Sequence, residues 1–258
     1  MAHPEPSDER NRRVMQEAYI RAENLYKDFG HVQALRGASV FAYEGEVLAI
    51  VGDNGAGKST LIKIISGVLT PDRGEIHIGN EVFSSLSTRK AIEAGVSTVY
   101  QDLALGNTMD VTSNLFLGNE LSRFGFLRKK EMKAEAEKLL ESLDIRIPDV
   151  TQPVGNLSGG QRQGVAVARL VNQGGKVFIF DEPTAAMGIN ETNAVLTLIR
   201  RLADEGYVVI VISHNMPQVF NISDRICVMR HGQVIKELRT EDTSMDEVVS
   251  MITGAAGI

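Results

Sequence analysis

Val47-Leu48-Ala49-Ile50-Val51 runs directly into Gly52-Asp53-Asn54-Gly55-Ala56-Gly57-Lys58-Ser59-Thr60. The first five residues are all apolar, the pattern of a parallel strand buried on both faces. The next nine fit G-x-x-x-x-G-K-[ST] and open a helix over Lys58–Ser66, the strand-to-helix context in which this motif cradles phosphate. The glycines let backbone N–H groups turn inward without side chains in the way. The helix N-terminus adds a favourable field for an anion. Gly52 to Thr60 are therefore candidate nucleotide-binding residues. Lys58 supplies a cation for β- and γ-phosphates, and the Ser59 hydroxyl a ligand for Mg²⁺.

Upstream, Ile20 to Tyr43 alternates like strands, with Gly30 and Gly37 as punctuation. Downstream, Gly74 to Phe83 reads as a hairpin and Ser97 to Tyr100 as a short strand. Residues 103–172 read as mostly helical, with Met132, Ala136, Leu139, Leu140 and Leu143 on one face. Two further buried strands follow, Val177 to Phe180 and Val208 to Ile212. Between them the pattern predicts a helix over Glu191–Ala203, capped by Asn190 and closed by Gly206. This alternation calls for an α/β fold with a largely parallel sheet and helices on both sides. The helical stretch in the middle reads as an inserted subdomain.

Val177-Phe178-Ile179-Phe180-Asp181-Glu182 ends a buried strand in two carboxylates. Beside a phosphate loop, such a strand places Asp181 near Mg²⁺ and Glu182 where it accepts a proton from, or orients, an attacking water. Without that loop the pair reads equally well as solvated strand-end charge.

Composition is that of an ordinary globular chain, with 43% hydrophobic and 23% charged residues. A net charge of −6 argues against nucleic acid held by general electrostatics and against a polybasic membrane anchor, leaving room for a local basic patch. The single Cys227, in an alternating apolar run, suits a reducing compartment and core packing. Residues 1–16 read as a mobile polar tail without the apolar core of a secretory signal. No apolar run approaches the length that spans a bilayer. A role at a membrane would therefore run through a partner.

Leu157-Ser158-Gly159-Gly160-Gln161-Arg162-Gln163 opens another helix, running through Val165, Ala168 and Leu170. It reads either as a second anion-binding helix N-terminus or as a plain capped start. In order, the phosphate loop, Gln101, Leu157–Gln161, the Asp181-Glu182 strand and His214 resemble the motifs of ATP-binding-cassette ATPases, over residues 20–253. The resemblance implies a P-loop NTPase of that type, with a mostly parallel core sheet, an antiparallel β subdomain and an inserted α-helical subdomain over 103–172, in one domain spanning 17–258. It implies ATP hydrolysis with Mg²⁺, with Ser59, Gln101 and Asp181 around the metal. It also implies a head-to-tail pair of cassettes, a homodimer, in which Ser158, Gly160 and Gln161 reach the partner's nucleotide. Gln101 would sense the metal or water, His214 would contact the γ-phosphate, and Phe29 would stack on adenine, although core packing is the alternative for Phe29.

Val99 to Leu105, Asn114 to Gly118 and Ser213 to Pro217 resemble the ATPases of monosaccharide importers, in single-cassette versions of the fructose, ribose or xylose type. That implies multi-span permease subunits, contacted near residues 102–121, an external sugar-binding protein, no nucleic acid, and a peripheral position on the cytoplasmic face of the membrane. A soluble cassette protein acting on ribosomes or DNA is the alternative. One departure stands out. Where the family has Ser-Ala-Leu-Asp after Pro183-Thr184, this chain has Ala185-Ala186-Met187-Gly188. Loss of that carboxylate predicts altered communication between two sites and slow basal hydrolysis.

Overall fold

The structure, a computed structural model, describes residues 18–99, 103–185 and 187–255. The expectations for the N-terminal tail and for Gln101 fall outside these residues.

Strand β1 (Ile20–Phe29) and β2 (Val32–Ala42) form an antiparallel pair, and β3 (Val47–Gly52) follows with all six residues buried. The phosphate loop then leads into α1 (Lys58–Ile65). Next come β4 (Arg73–Ile78), β5 (Glu81–Phe83), α2 (Thr88–Glu93) and β6 (Val96–Val99). The middle of the chain holds α3 (Val111–Leu115), a small hairpin of β7 (Ser122–Arg123) and β8 (Phe126–Leu127), α4 (Lys129–Ser142) and α5 (Gly159–Asn172). The last part alternates: β9 (Val177–Asp181), α6 (Ile189–Asp204), β10 (Val208–Ile212), α7 (Met216–Ile222), β11 (Arg225–Arg230), β12 (Gln233–Arg239) and α8 (Met245–Thr253).

Two sheets organise these elements. The core sheet runs β12-β11-β3-β10-β9-β6, parallel throughout except for the edge strand β12. The second sheet, β2-β1-β4-β5, is antiparallel. Because successive strand residues point to opposite faces, Leu48 and Ile50 of β3 pack with α1 and the antiparallel sheet. Phe178 and Phe180 of β9 and Val209 and Val211 of β10 pack under the helices on the other side. Cys227 is fully buried, as expected of a core residue. Among the described residues no helix is long and apolar enough to cross a membrane.

Two expectations need correction. Residues 103–172 are only partly helical, because the β7–β8 hairpin and extended loops interrupt them. The hairpin is too short to show a period of two, so its residues carry no strand signal. The helix after β9 starts at Ile189 with Gly188 as N-cap, rather than being capped by Asn190. The Glu191 carboxylate reaches back to accept the Gly188 N–H at 3.3 Å, which extends the helix toward its start.

Candidate nucleotide site

Strands β3, β9 and β10 run parallel and end at Gly52, Asp181 and Ile212, so their C-terminal ends share one edge of the sheet. Ligand crevices of open α/β sheets form at such an edge. The loops that leave it carry Lys58, Glu182 and His214.

The phosphate loop is shaped by what glycine permits. A Cβ at Gly52 would lie 2.3 Å from the Met229 carbonyl oxygen, and one at Gly57 2.6 Å from that of Ala34. Gly57 is also left-handed, at φ 103°, and caps α1 without a side-chain hydrogen bond. The first N–H groups of α1 are thus left to face a ligand. Asp53, Asn54, Gly55 and Ser59 are exposed, Ala56 is buried beneath them, and Thr60 is half-buried. Lys58 arches over the loop, its ammonium donating to the carbonyls of Gly52 at 2.8 Å and Asp53 at 3.0 Å. Burial pulls its pKa down, against Glu182, Asp53 and Asp181, which favour the charge.

Asp181 sits half-buried at the end of β9. Burial and the neighbouring Glu182 charge push its carboxyl up, while Lys58 and Lys63 oppose them. Glu182 adopts a left-handed backbone at φ 48°, and its N–H donates to the Ile212 carbonyl at 2.9 Å. Its carboxylate is 2.8 Å from His214 Nδ1, beyond the end of β10. Strain of this kind, roughly 1–3 kcal/mol, concentrates at functional positions. Lys58, Asp181, Glu182 and His214, far apart in the chain, therefore meet at one edge.

Phe29 ends β1, with 47% of its surface exposed, so it is not core filler. It pairs with Val32 on the strand whose Ala34 and Leu35 back Gly57. Ser158 caps α5 and forms a capping box with Gln161, the Ser158 hydroxyl accepting at 3.3 Å and the Gln161 side chain at 3.1 Å. Ser158, Gly160 and Gln161 line a separate open cavity of about 730 Å³ together with Gly188 to Glu191 and Ala194. No phosphate-loop residue borders it. The two halves of the motif set are therefore not brought together within one chain.

Two further residues tie the motifs to one another. Glu191 accepts the N–H of Gly159 at 3.2 Å through one oxygen and that of Gly188 through the other. It thus joins the start of α5 to the loop that lacks its aspartate. Its position three residues after Gly188 is a capping signal legible in the sequence; the link to Gly159 is not. Arg169, in α5, donates to the carbonyls of Ala104 at 3.0 Å and Leu103 at 3.1 Å. It anchors the segment that follows Gln101, and nothing local in the sequence announces it.

A cassette ATPase is what a phosphate loop, an acid-ended neighbouring strand and a capped Ser-Gly-Gly-Gln helix on this sheet define. The chain belongs to that family: the family profile described as ABC transporter matches residues 35–185. It is 45% identical to a xylose/arabinose import ATP-binding protein of Sulfolobus acidocaldarius over 92% of this chain and 94% of that one. It is 44% identical to a fructose import ATP-binding protein of Rhizobium meliloti, over 94% and 96% respectively. Among solved structures, the ADP conformation of an ATP-binding cassette from an ABC transporter superposes with a TM-score of 0.77 at 30% identity, covering 92% of this chain and 95% of that one. A dimeric, post-hydrolysis cassette bound to ADP and Pi gives 0.70 at 25% identity, covering 86% and 98%.

Proposed function

We propose that this chain is the ATP-hydrolysing subunit of a membrane sugar importer. The observation that carries the chemistry is the convergence of Lys58, Asp181, Glu182 and His214 at the end of β3, β9 and β10. The names of the xylose/arabinose and fructose relatives support the sugar-import reading.

The residues suit a nucleotide with Mg²⁺. Gly52 and Gly57 stand where any side chain would collide with backbone, which keeps the cradle open. Two adjacent carboxylates, Asp181 and Glu182, lie beside Lys58, an oxygen donor set that suits a divalent cation. Ser59 and Asp181 would hold the metal, joined by Gln101. Bound there, Mg²⁺ neutralises charge on the β- and γ-phosphate oxygens. The N–H groups of residues 52–60 bind phosphate oxygens, and Lys58 adds a cation. Glu182 orients the attacking water and takes its proton. His214 holds the Glu182 carboxylate and faces the γ-phosphate. Phe29 offers an exposed ring for adenine.

Ser158, Gly160 and Gln161 lie apart from this cluster, so completing the site requires a second cassette placed head to tail. That a similar cassette is dimeric with ADP and Pi bound supports a pairing of two cassettes. The insertion over residues 103–172 passes the motion to permease subunits near residues 102–121, on the cytoplasmic side of the membrane. The Glu182→Gln variant should bind ATP normally and lose hydrolysis by at least a hundredfold; full turnover would remove Glu182 from the base role. The tagged chain purified from its native membranes should bring a multi-span permease with it. Ribosomal or DNA-associated partners would keep the ATPase and overturn the importer.

A further inference from the structure

The β7–β8 hairpin breaks local preference twice without gaining any packing. Its register pairs Ser122 with Leu127 and Arg123 with Phe126, leaving Phe124-Gly125 as a two-residue turn at φ 51° and φ 82°. Such a turn favours Asn-Gly or Gly-Gly, and a bulky residue at positive φ is disfavoured. Phe124 nevertheless occupies it with 87% of its surface exposed, and Phe126 is 79% exposed. Arg128, Lys129 and Lys130 follow at once, in the N-cap and first turn of α4, the helix end where cations are unfavourable. All residues from Ser122 to Glu131 are exposed, and Arg123 lies over the Phe124 ring at 5.3 Å. Neither core packing nor helix capping accounts for this composition. Residues that violate local rules without a structural return mark functional surfaces.

Geometry narrows what the hairpin meets. At one end of α5, Gln161 bonds the Arg146 carbonyl at 3.0 Å, just past the end of α4. At the other, Asn172 and Gln173 bond the carbonyls of Leu115 and Leu117. The Arg128 N–H donates to the carbonyl of Leu121, four residues past Leu117, so the hairpin and the start of α4 lie toward the Asn172 end of α5, away from Ser158. The 14-residue α5 separates these ends by about 20 Å. A head-to-tail cassette that reaches Ser158 would not cover it.

We infer that the β7–β8 hairpin and the first turn of α4 form a membrane-surface contact for anionic lipid headgroups. Arg123, Lys129 and Lys130 attract the headgroup layer, with Arg128, which also pairs with Glu131, beside them, while Phe124 and Phe126 enter the interface. Basic residues beside exposed aromatic rings are the composition that binds such surfaces. The patch is also opposite in sign to the chain's net charge of −6, so the attraction is local. This contact is made directly with lipid and does not depend on the importer reading.

The test is co-flotation of the purified full chain with vesicles of phosphatidylcholine alone and of phosphatidylcholine with phosphatidylglycerol, at low and high salt. The chain should float with the anionic vesicles only, and salt should release it. Each basic residue near such a surface raises partitioning roughly fivefold, so Lys129→Glu with Lys130→Glu should lower it more than tenfold. Phe124→Ser with Phe126→Ser should also lower it at low salt, where the parent floats. These side chains are exposed and outside the nucleotide site, so unchanged ATP hydrolysis checks the fold. No flotation with anionic vesicles, equal binding to neutral ones, or unaltered binding by both variants would overturn the inference. Variants that lose a co-purifying permease while floating like the parent would assign the hairpin to a protein partner instead.

Discussion

Replacing Glu191 with alanine removes a carboxylate that serves two helix starts. Its two oxygens accept from Gly159 at 3.2 Å and Gly188 at 3.3 Å, both long and in half-exposed surroundings. Each bond therefore falls below the range for charged acceptors and into that of an ordinary hydrogen bond, about 0.5–1 kcal/mol. The lost negative charge in the first turn of α6 adds about 0.3–1 kcal/mol. The sum, about 1.5–3 kcal/mol, corresponds to a fall of roughly 3–10 °C in Tm for a chain of this size. Such a loss leaves the population folded if the parent has ordinary stability, so it does not by itself slow turnover. The functional effect should be larger, because the start of α5 carries Ser158 and loses its tie to the loop at Gly188. Hydrolysis should fall about tenfold or more, equivalent to about 1.4 kcal/mol at the transition state, with KM for ATP unchanged because the phosphate loop is untouched. Glu191→Gln retains one acceptor oxygen; it should keep much of the stability and still lose the bridge. Urea denaturation and steady-state hydrolysis measure the two quantities. Parental hydrolysis in a destabilised Glu191→Ala protein would refute the reasoning and reduce Glu191 to a helix cap.

Gly57→Ala should abolish nucleotide binding and cost about 2–5 kcal/mol, combining a left-handed backbone with a Cβ 2.6 Å from the Ala34 carbonyl; binding titration and denaturation check it. Asn114 is fully buried and bonds Gly106 through both ends of its amide, and the Met109 and Asp110 carbonyls through its nitrogen. Asn114→Ala should cost about 2–4 kcal/mol and raise amide exchange over residues 104–110. Stability should also fall as pH rises from about 4.5 to about 7. One guanidinium, Arg225, serves two half-buried carboxylates, Glu46 and Glu237, and desolvation lifts Glu46 to about 7 against the pull of Arg225. The unfolded chain releases that proton near pH 4.5 and the folded chain retains it, so the loss accrues between these values and totals up to about 3 kcal/mol. Glu46→Gln should flatten that slope in pH-dependent denaturation.

What the sequence makes legible follows from the range of the forces involved. The strands at Val47–Gly52, Val177–Asp181 and Val208–Ile212 declare themselves because burial on both faces leaves no polar alternative. The phosphate loop and the Ser158 cap are equally local, set by glycine conformations and by side chains three residues apart. For the start of α6 the sequence favours Asn190, a better cap by type than Gly188, and only Glu191 reaching back makes the glycine serve. The hairpin escaped because two-residue strands have no period. The links made by Arg169 and Glu191 span 65 and 32 residues, and no local preference encodes a contact that the fold brings together.

The order of the core sheet has a consequence for the nucleotide site. Strand β10 separates β3 from β9. With strands about 4.8 Å apart, the backbones that launch Lys58 and Asp181 are held about 10 Å from each other. Were the two strands adjacent, lysine and aspartate would close on one another as a simple ion pair and fill their own crevice. The intervening strand acts as a spacer that keeps the crevice between them open. It carries His214 just past its end, so the element that sets the gap also supplies the imidazole that meets Glu182.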